Sequence, residues 1–234
     1  MVLSSRVTIE LLFRLDSSHV YRALRLEQFP WLEHGFGTRL SAGWPDSATL
    51  ATAKQIHSDQ VLVATHPGNF GPGDALICQR PEVTVAIRTA DCLPVVIVDP
   101  RTRAVAVVHA GWRGVAGEIV PKSVTAMMEK FGSRPEDLEI AIGPGIGPCC
   151  FEVGPEVAVQ FQVFFPERDD LTGRTKIDLA ETISRQLRRN GVSTGQISAS
   201  GLCSCCNPEL FESYRRDRDK AGRMVTAASI RKLE

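Results

Sequence analysis

The sequence is short of several things, and each shortage removes a class of function. It has no net charge, because 27 Lys and Arg balance 27 Asp and Glu over 234 residues. A charge-driven grip on nucleic acid is therefore not expected. No run approaches eighteen consecutive apolar residues, so no transmembrane helix and no membrane partner are expected. The start, "MVLSSRVTIELLFRLDSS", scatters charges among its hydrophobics. It lacks the unbroken apolar stretch and small-residue cleavage site of a secretory signal, which points to the cytoplasm. There is no internal repeat, linker or low-complexity tract. The GxxxxGK[ST] phosphate loop is missing as well.

Cysteine is present in an odd number, seven, and crowded: Cys149 beside Cys150, then Cys203, Cys205 and Cys206. A secreted disulfide framework would be spaced differently in a much shorter chain. Reduced thiols are the better reading. These five do not show paired C-x2-C spacing, which argues against a zinc ribbon.

What is there reads as alternating short strands and helices. Val7 to Phe13 and Arg22 to Leu26 are predicted strands, followed by a turn-rich segment from Phe36 to Thr49. Ala53 to His57 and Gln60 to Thr65 read as two strands around a tight bend, and "HPGNFGPGD" as a loop. Val83 to Arg88, Leu93 to Val98 and Ala104 to His109 are rich in Val and Ile, which favours strands. Glu118 to Phe131 has its apolar residues near one face of a helix that Gly132 can cap. Leu138 to Ile142 is a strand running into a Gly- and Pro-rich loop. Helices follow over Pro155 to Phe164 and from an Asp178 cap through Arg189, then strands at Ile197 to Ser200 and Met224 to Ile230. The expected fold is α+β, one layered domain over 1–234 with mixed β-sheets flanked by helices.

The stretch "RAVAVVHAGWRG" asks why an apolar strand ends on an imidazole and then shrinks to Ala110, Gly111 and Gly114. If the preceding turn closes tightly on Asp99-Pro100-Arg101-Thr102, antiparallel register sets Cys92 opposite His109. Their Cβ atoms would then lie about 4.5–5.5 Å apart. A longer loop would slide the register by a residue or two and keep both at one end of the hairpin, with Asp91 alongside. A thiol beside an imidazole reads as a nucleophilic pair, as ligands of a borderline-soft metal, or as a buried core pair. The flanking glycines favour a site, since they let a ligand approach the backbone. His57, in "KQIHSD", stands out no more than His34 or His66. Arg113 suits a phosphate or carboxylate clamp as well as it suits a surface ion pair. "GPGIGPCC" reads as a tight turn carrying buried cysteines rather than an anion nest.

Five ordered motifs, "KQIHSDQV", "TADCLPVVIVD", "AVVHAGWRG", "AIGPGIGPCCFEVG" and "CSCCNPELFESYRRD", resemble the YfiH-like family. The resemblance runs from about His34 to Met224. Members were long labelled multicopper polyphenol oxidases, or laccases, and are now read as zinc-dependent purine nucleoside phosphorylases with adenosine deaminase activity. The resemblance implies a metal site of His57, Cys92 and His109, holding Zn2+, with Cu2+ as the alternative ion. It thus supplies a third ligand that pattern alone could not bring to the hairpin. It implies adenosine, inosine or methylthioadenosine as substrate, with phosphate as the co-substrate. Arg113 is the first candidate for holding phosphate and Arg39 the second, and Asp91 is a candidate proton carrier. The H-x-E signature of the zinc base deaminases is absent.

The rival readings differ in what they need. A multicopper oxidase should offer many histidines, and five, scattered, are too few for a trinuclear cluster plus a blue-copper site. A hydrolase that edits a mis-incorporated amino acid in peptidoglycan precursors would keep the site and change the substrate. A scaffold protein would close the metal with four ligands. Oligomeric state is not legible.

Overall fold

A computed structural model describes residues 12–45 and 47–232. The strands are β1 (Phe13–Leu15), β2 (Val20–Ala23), β3 (Leu32–Gly37), β4 (Leu50–Lys54), β5 (Val61–Val63), β6 (Gly68–Pro72), β7 (Ala75–Cys78) and β8 (Thr84–Thr89). They continue with β9 (Leu93–Asp99), β10 (Ala104–Ala110), β11 (Glu139–Ile142), β12 (Glu152–Val153), β13 (Thr175–Lys176), β14 (Ile197–Ala199) and β15 (Met224–Ile230). The helices are α1 (Leu24–Glu27), α2 (Trp112–Ala116), α3 (Ile119–Phe131), α4 (Pro155–Ala158), α5 (Leu179–Arg189) and α6 (Tyr214–Asp217).

Two mixed sheets form. One runs β1-β2-β3-β15-β8-β4-β6 and the other β14-β11-β9-β10-β7-β5, with β12 and β13 as a separate pair. The α+β expectation is met. All seven residues of β9 and of β10 are buried, which explains why both read as unbroken apolar runs. Each strand serves two cores by its period of two. Val105 and Val107, with Val96 and Val98, pack against the other sheet through Phe13, Phe36, Val85 and Ile87. Ala106 and Val108, with Val95 and Ile97, pack against α3 and α5 through Val124, Met127, Ile183 and Leu187. Helix α5 shows the same logic along a helix: Leu179, Thr182, Ile183, Gln186 and Leu187 are its buried stripe. Asp178 caps it by accepting from Glu181 N at 3.0 Å, and α3 ends on Gly132 in the left-handed region (φ 66°).

The hairpin register differs from the tight-turn expectation. Asp99 pairs with Ala104, so four residues turn the corner, and His109 faces Pro94. The cause is the Asp99 side chain, which accepts from Arg101 N (2.8 Å), Thr102 N (3.1 Å) and Thr102 Oγ1 (2.7 Å). Arg103 completes the wider loop at φ 51°. The slide is two residues, so Cys92 comes level with Gly111 instead of His109.

Other boundaries also move. The predicted strand from Val7 lies outside the described residues except at its end, where β1 begins. Arg22 to Leu26 is split between β2 and α1. "HPGNFGPGD" contains β6, an edge strand pairing parallel with β4. Its glycines hid it, since they break the alternation that marks a strand. β3 and β7 were not anticipated, and Pro155 to Phe164 is α-helical only to Ala158 before tightening into a 3-10 turn over Val159–Phe161. β4 stops at Lys54, which leaves His57 in a loop rather than at a strand end.

Candidate metal centre

His109 is the last residue but one of β10, Cys92 precedes β9, and His57 lies between β4 and β5 at φ 59°. Their ligand atoms all lie within 4.8 Å of one another. The two imidazoles meet edge to face, with ring centroids 4.9 Å apart. His109 is buried, Cys92 half-buried and His57 exposed, so the cluster opens to solvent on the His57 side.

One residue that sequence reading passed over organises the cluster. Asp74, fully buried just before β7, places Oδ1 at 2.7 Å from His109 Nδ1. It also collects the loop that carries the other histidine, accepting from Ile56 N (3.2 Å), His57 N (3.0 Å), Ser58 N (2.6 Å) and Ser58 Oγ (2.6 Å). Its backbone carbonyl accepts from His109 N at 2.7 Å. The only sequence signal was an acid at the end of "GPGD", immediately before an apolar "ALIC".

The electrostatics follow from these contacts. Burial works to push the Asp74 carboxyl up, but hydrogen bonds from His109 and Ser58 hold it well below the usual carboxylate range. Burial disfavours the His109 cation, yet Asp74 and then Cys92 raise that imidazole to about 9. Burial would raise the Cys92 thiol, and hydrogen bonds to His109 and His57 with their charge bring it down to about 7. The contacts favour a Cys92 thiolate beside the His109 cation. Two nitrogens and a sulfur suit a borderline-soft divalent ion, and Asp74 on Nδ1 leaves Nε2 of His109 as that ring's remaining donor atom.

The small residues after His109 now have a use. A Cβ on Gly111 would sit 3.0 Å from Cys92 Sγ and 3.1 Å from His57 Cδ2, and one on Gly114 would sit 3.0 Å from Ser58 O. The room left by Gly111 is filled by the cluster itself, and that left by Gly114 by the backbone of the loop that carries His57.

The remaining sequence candidates are placed unevenly. Arg113 is exposed, its guanidinium 4.4 Å over the Trp112 ring. Arg39 is engaged, donating from Nη1 to Pro208 O (2.6 Å) and lying 3.5 Å from Glu212 Oε1. Asp91, at φ 82°, uses both carboxylate oxygens inside the protein, accepting from Ser204 Oγ (2.7 Å) and Arg215 N (2.6 Å). Its carbonyl accepts from Ile146 N at 2.7 Å.

A family profile described as multi-copper polyphenol oxidoreductase laccase matches residues 38–231. The chain belongs to this family, the YfiH-like proteins. Among YfiH-like relatives, it is 40% identical to a purine nucleoside phosphorylase of Deinococcus radiodurans over 79% of this chain and 72% of that one. It is 38% identical to a purine nucleoside phosphorylase of Bacteroides thetaiotaomicron over 68% of this chain and 61% of that one. The crystal structure of YlmD from Geobacillus stearothermophilus matches with a TM-score of 0.85 at 28% identity, covering 94% of this chain and 99% of that one. Among the described residues, no helix is long and apolar enough to cross a membrane.

Proposed function

We propose that this YfiH-like chain is a Zn2+-dependent purine nucleoside enzyme. It is a phosphorylase of adenosine, inosine and methylthioadenosine, with adenosine deaminase activity. The reading rests on His57, Cys92 and His109 converging in front of Asp74, in a chain whose relatives are named purine nucleoside phosphorylase. His57, Cys92 and His109 would hold the ion, which would supply Lewis acidity to the reaction. In phosphorolysis a phosphate oxygen bonds to ribose C1′ while the C1′–N9 bond breaks and the purine leaves with the electron pair. In deamination the oxygen of water replaces the C6 amino group, and ammonia leaves.

The chain's own residues position these events. Asp74 fixes the ring of His109 and the loop of His57 together. Arg113, exposed and stacked on Trp112 two residues beyond Gly111, holds the phosphate. Arg39 is the second choice because Pro208 and Glu212 already engage it. Asp91 is a positioning residue, holding the turn that presents Cys92. The one-domain organisation and cytoplasmic placement belong to this proposal too.

The oxidase reading in the family's description fares less well on this chain. His34 accepts from Ala23 N at 3.0 Å inside the sheet, and His66 leans on Phe70. Among the described residues, two histidines reach a possible metal cluster. The test is product analysis by liquid chromatography, with metal-analysed protein, adenosine with and without phosphate, and a His109→Ala control. Adenine formed only with phosphate, together with inosine, both lost in the control, is the expected result. No turnover of adenosine, inosine or methylthioadenosine would overturn the substrate assignment and direct the search to peptidoglycan precursors. Oxygen uptake with a phenol and stoichiometric copper would restore the oxidase reading.

A further inference from the structure

β11 and β14 are parallel neighbours, with Ile142 level with Ala199. Two cysteine-bearing loops therefore leave the same end of one sheet. They stay zipped beyond the strands: Gly145 N donates to Leu202 O (3.2 Å), and Ser204 N donates to Gly145 O (2.8 Å). At the far end of that zipper four sulfurs meet. Those of Cys149, Cys150, Cys203 and Cys206 all lie within 4.8 Å of one another. Cys206 is 3.4 Å from Cys150 and 3.6 Å from Cys149.

These spacings have a simple geometric counterpart. A tetrahedral ion with metal–sulfur bonds of about 2.3 Å holds its sulfurs about 3.8 Å apart. A disulfide engages two sulfurs at about 2.05 Å and gives no reason for four to converge. Gly147 N donates to Cys203 Sγ at 3.3 Å, the contact that commonly supports a ligating thiolate. Cys203 and Cys206 form one C-x2-C half, and the adjacent pair Cys149–Cys150 supplies the other. A sequence scan for two such halves misses the set.

We infer that Cys149, Cys150, Cys203 and Cys206 bind a second metal ion, a thiophilic divalent cation of the Zn2+ class, in a closed four-sulfur site. Closed coordination makes it structural rather than catalytic. Its use is visible in what the two loops hold. Ser204 and Ile146, one from each loop, both bond to Asp91, the residue beside Cys92. Arg215, whose N–H also reaches Asp91, donates from Nη1 to Cys150 O at 2.9 Å. The second ion fastens the loops that set the turn presenting Cys92. None of this depends on the substrate proposed above.

The experiment is metal analysis of untagged full-length protein, purified under reductant without chelator, in four forms. Wild type is expected to carry two Zn2+ per chain, Cys206→Ser one, Cys92→Ser one, and Cys205→Ser two. One equivalent in wild type, lost with Cys92→Ser and unchanged by Cys206→Ser, would overturn the inference. So would recovery of these cysteines as disulfides, trapped by alkylation before reduction, with no second ion bound. If Cys206→Ser does not fold, Co2+ titration of the wild type and of Cys92→Ser decides the matter. Thiolate-to-cobalt absorption near fourfold that of a single-thiolate site, surviving in Cys92→Ser, is expected. Its absence overturns the four-sulfur site.

Discussion

Asp74 reaches His109 Nδ1 at 2.7 Å with the same carboxylate that holds the amides of Ile56, His57 and Ser58. One buried acid thus ties a strand end to a loop that meets it only in the folded protein. Replacing Asp74 by Asn keeps the shape but removes the charge and turns one oxygen into a donor. The metal affinity should fall about 10- to 100-fold. Competition against a chromophoric chelator measures it; an unchanged affinity would show that Asp74 only shapes the loop.

Gly111 allows the cluster to close, since an added Cβ would stand 3.0 Å from Cys92 Sγ and 3.1 Å from His57 Cδ2. Gly111→Ala should therefore lower bound metal while circular dichroism still reports a folded chain. Full metal occupancy in that variant would mean the two side chains can swing aside at little cost.

Arg113 and Arg39 can be told apart by kinetics. Arg113→Ala should raise the phosphate KM by about tenfold or more, the loss of one charge-assisted contact worth about 1.5–3 kcal/mol. On the proposed reading, adenosine deamination by this variant should stay near wild type, because that reaction uses no phosphate. Equal loss of both activities counts against the role. A larger phosphate effect in Arg39→Ala would transfer it.

His34 carries a pH dependence of stability that is separate from the metal. Burial first, then the charge of Arg22, lowers its imidazole to about 3, and its Nε2 accepts from Ala23 N. The unfolded chain takes up that proton near the ordinary value of about 6.5, so below it the unfolded state binds more protons. Stability from this group is fully present above pH 6.5 and is lost as pH falls toward 3, at up to about 1.4 kcal/mol per pH unit. Denaturant titrations of wild type and His34→Gln between pH 7 and pH 4.5 should diverge in slope. Parallel curves would mean that His34 protonates in the fold.

Much was determined by the sequence alone. Continuous apolar runs, Val- and Ile-rich in β9 and of Val and Ala in β10, specify both as strands buried on both faces, and the i, i+3, i+4 stripe with Asp178 before it specifies α5. Local chemistry of this kind acts within a few residues, so it is written in order along the chain. The same is true of Cys92 and His109 sharing one end of a hairpin, which holds for any short turn. The register was different: the Asp99 side chain widened the turn by two residues, a choice made by three hydrogen bonds that no propensity counts. Only the tertiary structure brought His57 beside Cys92 and put Asp74 behind His109. It alone laid Cys149 and Cys150 against Cys203 and Cys206 across neighbouring parallel strands. Those contacts span tens of residues and are decided by which strands pair, and strand pairing is settled by the burial of two whole sheets rather than by any motif.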